Sequence, residues 1–454
     1  MKEKVLIIVP HQDDEINIAG GLIYSMRNKT NVYVVYTTNG DFIVPAKYRY
    51  KEAIKSLKKL GVSKKNILFL GYSDQAYDQN SHMYNSNNVW ISNNGIDHTY
   101  GALGINDYNF IKHNKHCEFT KKNLIRNIKE VIKDIKPQKI ICVDLDFHPD
   151  HIMTSLCFDK AIGEILKENK AYNPLVLKSF TYENSYLAPN DLFTNDNYMS
   201  FLYDEYNNLL NNPYYNKKNA IHVPILKKCY SLNFLKNPVW KAIKCHKSQI
   251  FVKHTESVIN TEYVYWKRNT CNIINEANIS VSSGNKNYLN DFLLMDTSDV
   301  LNGNVKKIVY DGGIWIPDND DKKKEIIINF SKKTYIHKIL LYNGLIDTNF
   351  VKEINITLDE RKKNIVLSGT YVDTLEINKK VEKLKIQIVD EFVTNGFSEI
   401  EILSNSNVEH VSFDMAKDKS SKKLNINFAL VIIDKIIIKF NILFQKIYRK
   451  IFYW

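Results

Sequence analysis

The chain has 454 residues, more than one hydrophobic core usually organises, so two or more domains are expected. Its net charge of +12 allows an anionic partner, but the excess is scattered lysine interleaved with Asp and Glu, and no nucleic-acid-binding signature accompanies it, so no nucleic acid is expected as partner. An apolar fraction of 44% excludes wholesale disorder, and six cysteines with no Cys-x-x-Cys pair exclude a disulfide framework and agree with a reducing compartment.

Val5, Leu6, Ile7, Ile8 and Val9 form an apolar, mostly β-branched run. Such a run predicts a strand buried on both faces of a parallel sheet. A helical pattern starts near Glu15, with Ile16, Ile18, Leu22, Ile23 and Met26 mostly on one side. The polar turn between them falls at the carboxyl end of a strand, where open α/β folds bind ligands. His11 and Asp14 on that turn are a pair suited to Zn²⁺. Asp13 between them need not be a ligand, and Asp in this position also suits helix capping. Further strands are expected over 32–37 and 67–70, with helices near 15–27 and 48–60 and Gly61 as a C-cap. This alternation predicts a Rossmann-like, mostly parallel α/β sheet with helices on both faces.

Residues 75–117 are rich in Asn, Ser, Tyr and Gly and show no sustained period. A loop of that length is uncommon unless functional. It follows the third strand, so it is expected to fold over the crevice, where Trp90, Asn93, Tyr100 and Asn106 suit sugar recognition. The alternative is an ordered excursion with a small core of its own. An amphipathic helix is expected over 120–135, ended by Pro137, and a second buried strand over 139–143. Asp144, Asp146, His148, Asp150 and His151 crowd the turn after it, ahead of a helical stretch over 153–165. Two such turns in equivalent βα units can converge. His11, Asp14 and His151 would then supply three ligands and leave a fourth position for water, the pattern of a catalytic zinc site. One Zn²⁺ per chain is expected, with Fe²⁺ as an alternative. After residue 179 the pattern loosens. An apolar run over 221–226 and a helix over 240–250 follow, the latter carrying His246 and Gln249. His246 reads either as a buried helical core group or as a contact to the substrate or to the groups that orient the ligands.

Pro10-His11-Gln12-Asp13-Asp14-Glu15 and His148-Pro149-Asp150-His151 together resemble the PIG-L (LmbE-like) family of zinc-dependent sugar de-N-acetylases. Thr37-Thr38-Asn39-Gly40-Asp41, Arg49-Tyr50-Lys51-Glu52, Phe69-Leu70-Gly71-Tyr72-Ser73-Asp74 and His246-Lys247-Ser248-Gln249 extend the resemblance over residues 1–265. Gln12 stands where the family often has Pro. The resemblance implies metal on His11, Asp14 and His151, with Asp13 as general base. His148, three residues before His151, is not expected to reach the same ion and would instead stabilise the oxyanion as an imidazolium. Asp146 or Asp150 would orient a ligand ring. Arg49 would meet a substrate hydroxyl or phosphate, unless it forms a surface ion pair with Glu52. The expected reaction removes an N-acetyl group from an N-acetylglucosamine-type sugar in a glycan, glycolipid or glycoconjugate precursor. The rivals are an amidase on a thiol-sugar conjugate and a non-catalytic glycan-binding scaffold.

Beyond about residue 270 the texture changes to short alternating strands over 325–330, 337–342, 353–358, 364–367, 383–389 and 399–403, which predicts a β-sandwich. Tyr310-Asp311-Gly312-Gly313, Trp315, Lys338-Ile339-Leu340-Leu341-Tyr342-Asn343 and Gly396-Phe397-Ser398-Glu399-Ile400 resemble galactose-binding-like (discoidin or F5/8 type C) jelly rolls, implying loops that contact glycans or a purely architectural module. Residues 424–454 alternate apolar and basic groups. Their charges exclude a membrane span and suit an amphipathic helix on an anionic membrane surface, or one docked on protein. The expected domains are thus 1–268, 269–408 and a tail over 409–454. No signal peptide precedes the first strand, so the expected location is cytoplasmic, peripheral at the inner face of the membrane where the tail engages it.

Overall fold

The structure is a computed structural model describing residues 2–75, 83–86, 88–145, 148–181, 220–231, 233, 235–249, 258–294, 313–344, 349–391, 393–405 and 411–416. Strands β1 (Lys4–Val9), β2 (Asn31–Thr38), β3 (Ile67–Tyr72), β4 (Lys139–Val143), β5 (Leu175–Ser179), β6 (Ala220–Pro224) and β7 (Glu262–Arg268) form one sheet. Their order is β3-β2-β1-β4-β5-β7-β6. The first five are parallel neighbours, whereas β7 runs antiparallel to both β5 and β6. Val5, Leu6, Ile7, Ile8 and Val9 are fully buried, as a strand covered on both faces requires. Helices α1 (Asp14–Met26), α2 (Ala46–Leu60), α3 (Tyr108–His113), α4 (Lys121–Ile135), α5 (Pro149–Glu168) and α6 (Pro238–Ile243) cover the sheet. α1 contacts α2 and α6, while α4 contacts α5. The apolar stripe of α4 is buried as its spacing predicts, and Thr120 caps it by accepting from Asn123 N. Gly61 ends α2 in the left-handed region.

Chain order reverses at β1: β2 lies on one side and β4 on the other. The loops after β1 and β4 therefore open side by side at the carboxyl edge of the sheet.

Three expectations change. Residues 88–119 are an ordered excursion that shares the core of the sheet and does not build a small one of its own. Met83, Tyr84, Tyr108, Cys117 and Phe119 are buried in the same core as the sheet, and the Trp90 ring packs on Phe119. The helix expected over 240–250 stops at Ile243. Beyond it the amides of Cys245, His246 and Gln249 bond three residues back, which makes turns and not a continued helix. His246 thus sits in a turn.

The third change concerns the all-β part. Here β8 (Asn278–Val281), β9 (Glu325–Asn343), β10 (Glu353–Leu358), β11 (Arg361–Val366), β12 (Val372–Ile388) and β13 (Phe397–Leu403) form an antiparallel sheet. The strands expected over 325–330 and 337–342 are two halves of β9, and the one over 383–389 is the end of β12. Exposed Ser331, Lys332 and Lys333 interrupt the apolar alternation of β9, and its register to β12 shifts there, from Thr334 opposite Val381 to Asn329 opposite Lys383. β9 pairs with β8 along its first half and β13 along its second. This sheet has its own core around Trp315, Ile328, Ile339, Leu384 and Phe397, consistent with the expected β-sandwich. Yet Phe292, Leu293, Leu294, Tyr342 and Tyr371 belong to the α/β core, and residues 411–416 return to it, with Ala416 N donating to Ser25 O. The amphipathic helix expected over 424–454 lies outside the described residues. Among the described residues no helix is long and apolar enough to cross a membrane.

Gly71 has φ +85°, and a Cβ there would lie 2.7 Å from Tyr100 O. Gly71→Ala should therefore cost about 1–3 kcal/mol of stability, read by urea unfolding; an unchanged midpoint would mean the excursion is not held against β3 in this way.

Candidate metal centre

The first loop is shaped by its own carboxylate. Asp14 Oδ2 accepts from His11 N at 2.9 Å, and Thr38 at the end of β2 donates its amide and hydroxyl to Pro10 O. Gln12 Nε2 donates to Thr38 O, so this family departure serves as a brace between β1 and β2. Asp13 has φ +140°, a conformation that costs an L-residue on the order of 1–3 kcal/mol. Its amide donates to Glu15 Oε2 at 3.0 Å. The second loop leaves β4 with Asp144 N donating to Ser179 O. His148 caps α5 by accepting from Asp150 N at its Nδ1, with Pro149 at the first helical position.

The two loops meet. His11 Nδ1, Asp14 Oδ2 and His151 Nε2 stand 3.2, 3.3 and 3.2 Å apart in a nearly equilateral triangle. Ligands about 2.0–2.1 Å from a tetrahedral ion stand roughly 3.3 Å from one another, so the donor set fits a single divalent ion without rearrangement. All three side chains are buried. Ligating atoms of His11, His148 and His151 also lie within 4.8 Å of one another, as do those of His11, Asp74, His148 and Asp150. The tighter triangle is on the Nδ1 side of His11, because Nε2 is engaged with Asp150 Oδ2 at 3.0 Å. Asp150 therefore orients His11, as a carboxylate behind a ligand imidazole does; the expectation left Asp146 or Asp150 open, and Asp146 lies outside the described residues.

The charges respond to this crowding. Burial opposes a charge on His11, but Asp74, Asp14 and Asp150 outweigh it and raise its pKa well above the ordinary value. Burial also opposes ionisation of Asp14, yet His151 and His11 hold it far below the usual carboxylate range. Burial raises Asp13, Arg49 pulls it down and Asp14 pushes it up, leaving it at about 6. Glu15 is pushed by burial and by Asp13 to about 8, so it is neutral at pH 7. Burial, then His11 and His151, push His148 well below the ordinary histidine value. Without an ion, this favours the neutral imidazole over the imidazolium expected from the sequence. With Nδ1 accepting from Asp150 N, its proton sits on Nε2.

The remaining candidates are placed as follows. Arg49 is buried, with Nη2 3.4 Å from Asp13 Oδ1. The expected alternative of a surface pair with Glu52 fails, since Glu52 accepts from Ser248 N and Oγ. Arg49 Nε and Nη1 have no hydrogen-bond partner among the described residues. His246 is fully buried, 3.8 Å from Glu15 Oε1. Of the aromatic and amide residues expected over the crevice, Tyr100 is linked to the site by hydrogen bonds: its hydroxyl donates to Asp41 Oδ2, and Asp41 Oδ1 accepts from Asp74 N. Asp74 joins the site although the sequence pattern alone does not mark it: its Oδ1 lies 3.4 Å from His11 Nε2. Its signal was position: it follows β3 as His11 follows β1.

The neutral-pH His11 carries a proton where an ion would bind, and binding must expel it. We expect about one proton released per ion, and affinity rising about tenfold per pH unit below the His11 pKa, then levelling. Calorimetry in two buffers of different ionisation enthalpy measures this; affinity independent of pH would contradict it.

Residues 6–162 match the family model PIG-L: GlcNAc-PI de-N-acetylase. No curated protein matches. Among solved structures, the chain is similar to the zinc-inhibited form of teicoplanin deacetylase Orf2, at 14% identity and TM-score 0.33, covering 58% of this chain and 97% of that one. It is also similar to GalB, the 4-carboxy-2-hydroxymuconate hydratase from Pseudomonas putida KT2440, at 11% identity and TM-score 0.31, covering 58% and 95%. The family 32 carbohydrate-binding module of Clostridium perfringens NanJ, in complex with galactose, matches at 14% identity and TM-score 0.20, covering 28% and 94%.

Proposed function

Residues 6–162 are a PIG-L family domain, and from that premise we propose that this chain hydrolyses the acetamide of an N-acetylglucosamine-type sugar in a glycan, glycolipid or glycoconjugate precursor. The observation that carries the reading is the 3.2–3.3 Å triangle of His11, Asp14 and His151 beside Asp13. Two imidazoles and one carboxylate suit Zn²⁺, and Fe²⁺ accepts the same set. Such an ion supplies Lewis-acid polarisation of the amide carbonyl and a lowered pKa for water.

The chain's own residues do the rest. Asp13, held at about 6 and the most open carboxylate of its loop, takes a proton from the attacking water. Water oxygen bonds to the carbonyl carbon, the C–N bond then breaks, and Asp13 returns the proton to the departing nitrogen. Acetate and a free amine leave. The neutral His148 donates from Nε2 to the oxygen that becomes negative, a donor fixed in direction by the cap it makes on α5. Arg49 aims Asp13, and its unpartnered Nε and Nη1 suit a sugar hydroxyl or phosphate. Asp74, partly open beside His11, suits a second hydroxyl. A glycan contact by the β-sandwich and an anionic-membrane contact by the tail complete the proposed reading, supported by the module resemblance and by the basic amphipathic sequence of the tail.

Incubation of the full chain and Zn²⁺ with GlcNAc-lipid, GlcNAc-inositol and chito-oligosaccharides should release acetate and free amine from at least one; release from none would remove the reading. Asp13→Ala should keep the ion and lose about 10²–10⁴-fold in kcat, whereas His151→Ala should lose the ion. Metal analysis beside the rates separates the two, and full occupancy in His151→Ala would contradict the ligand set.

A further inference from the structure

Helix α5 carries the candidate metal centre at one end and the contact with the β-sandwich along its side. Gly163 lies on that side: a Cβ there would stand 2.5 Å from Asp291 O and 2.9 Å from Phe292 Cβ. The segment 291–294 thus lies directly on the helix. Its other side is gripped by the β-sandwich. Phe292 N donates to Glu399 Oε2 at 3.0 Å, and both Ser398 Oγ and Tyr371 OH donate to Leu294 O.

A buried chain of charges leaves this contact and runs toward the site. Arg268 donates to Phe292 O and from Nη1 to Asp159 Oδ2 at 2.9 Å, with its guanidinium 4.4 Å from the Phe292 ring centroid. Asp159 Oδ1 accepts from Lys178 Nζ at 2.9 Å. Lys178 Nζ also donates to Ser155 Oγ at 2.6 Å, and Ser155 donates to Asp144 Oδ1 at 3.2 Å. Asp144 Oδ1 accepts from Leu145 N, at the root of the loop that carries His148 and His151. Arg268, Asp159, Lys178, Ser155 and Asp144 are all buried. Two cations face two carboxylates, so removing one member leaves an uncompensated charge that the neighbours must move to relieve.

We propose that the β-sandwich is a positioning element for the metal centre: through Arg268 it fixes α5, which carries His151, and Asp144 at the end of β4, and so sets how tightly His11, Asp14 and His151 hold their ion. This rests on the metal-centre reading above. Groups that orient ligands from behind affect metal affinity by about 10–100-fold, and here the orienting contact is supplied by another folding unit. Arg268, Lys178 and Glu399 are positioning residues, since none touches the ion or the substrate.

The test uses the full chain, Co²⁺ as probe and its visible absorption as readout, beside kcat and KM. Arg268→Met should weaken Co²⁺ binding about tenfold or more and shift the absorption bands, lowering kcat more than it raises KM. Arg268→Lys should recover part of both. Glu399→Gln, which keeps the shape of the contact, should move the same readouts less and serves if Arg268→Met does not fold. Gly163→Val should do likewise by displacing the segment on α5. Folded variants whose Co²⁺ affinity and spectrum match the parent, while the 269–294 segment becomes open to protease, would overturn the proposal and leave the module merely attached. A parent chain that binds no Co²⁺ would overturn both it and the metal centre. A parent that binds Co²⁺ but releases no acetate would count against the proposed reaction alone, since the affinity readout still decides the positioning.

Discussion

Strand β1 has β2 on one side and β4 on the other, both parallel to it. That adjacency is the constraint on which the site depends. It brings His11 and His151, 140 residues apart in the chain, to 3.2 Å. The three close donors come from both loops, two from the first and one from the start of α5. The sheet supplies the missing proximity, and the apolar burial that drives sheet formation covers the entropy of bringing the loops together.

Once together, the loops hold far more charge than a buried volume accepts unassisted. The arrangement is tolerable because imidazoles alternate with carboxylates: Asp150 and Asp74 behind His11, His11 and His151 around Asp14. Each group is kept in a protonation state that its neighbours impose. Asp13 stands at the edge of this network in a strained backbone conformation, with Arg49 beside it. Such strain persists only where the surrounding contacts over-determine the conformation.

Much of this was legible in the sequence. The α/β alternation, the two polar turns, and the convergence of His11, Asp14 and His151 all follow from strand runs of known period ending at the same edge of a sheet. What escaped had physical reasons. The charge state of His148 depends on two neighbours from different loops, which no local pattern reveals. His246 was expected on a helix because its surroundings are apolar at helical spacing, whereas the chain turns after Ile243. β9 looked like two strands because its middle crosses solvent and carries lysines there. The excursion over 88–119 lacks any period because its apolar groups are buried singly against the sheet. The contact of Arg268 with Asp159 is invisible in sequence, since 109 residues separate them.

The segment 411–416 has a directional consequence. It lies by Ser25, Thr30 and Lys139, beneath the amino ends of the strands, whereas the metal centre opens at their carboxyl ends. Ala416 thus lies at the edge of the sheet opposite the three donors. Any surface that grips it from there is separated from the crevice by the height of the sheet, about 20 Å for a six-residue strand. The crevice would look away from such a surface, and a molecule reaching it must either extend that far or arrive from the surrounding solvent.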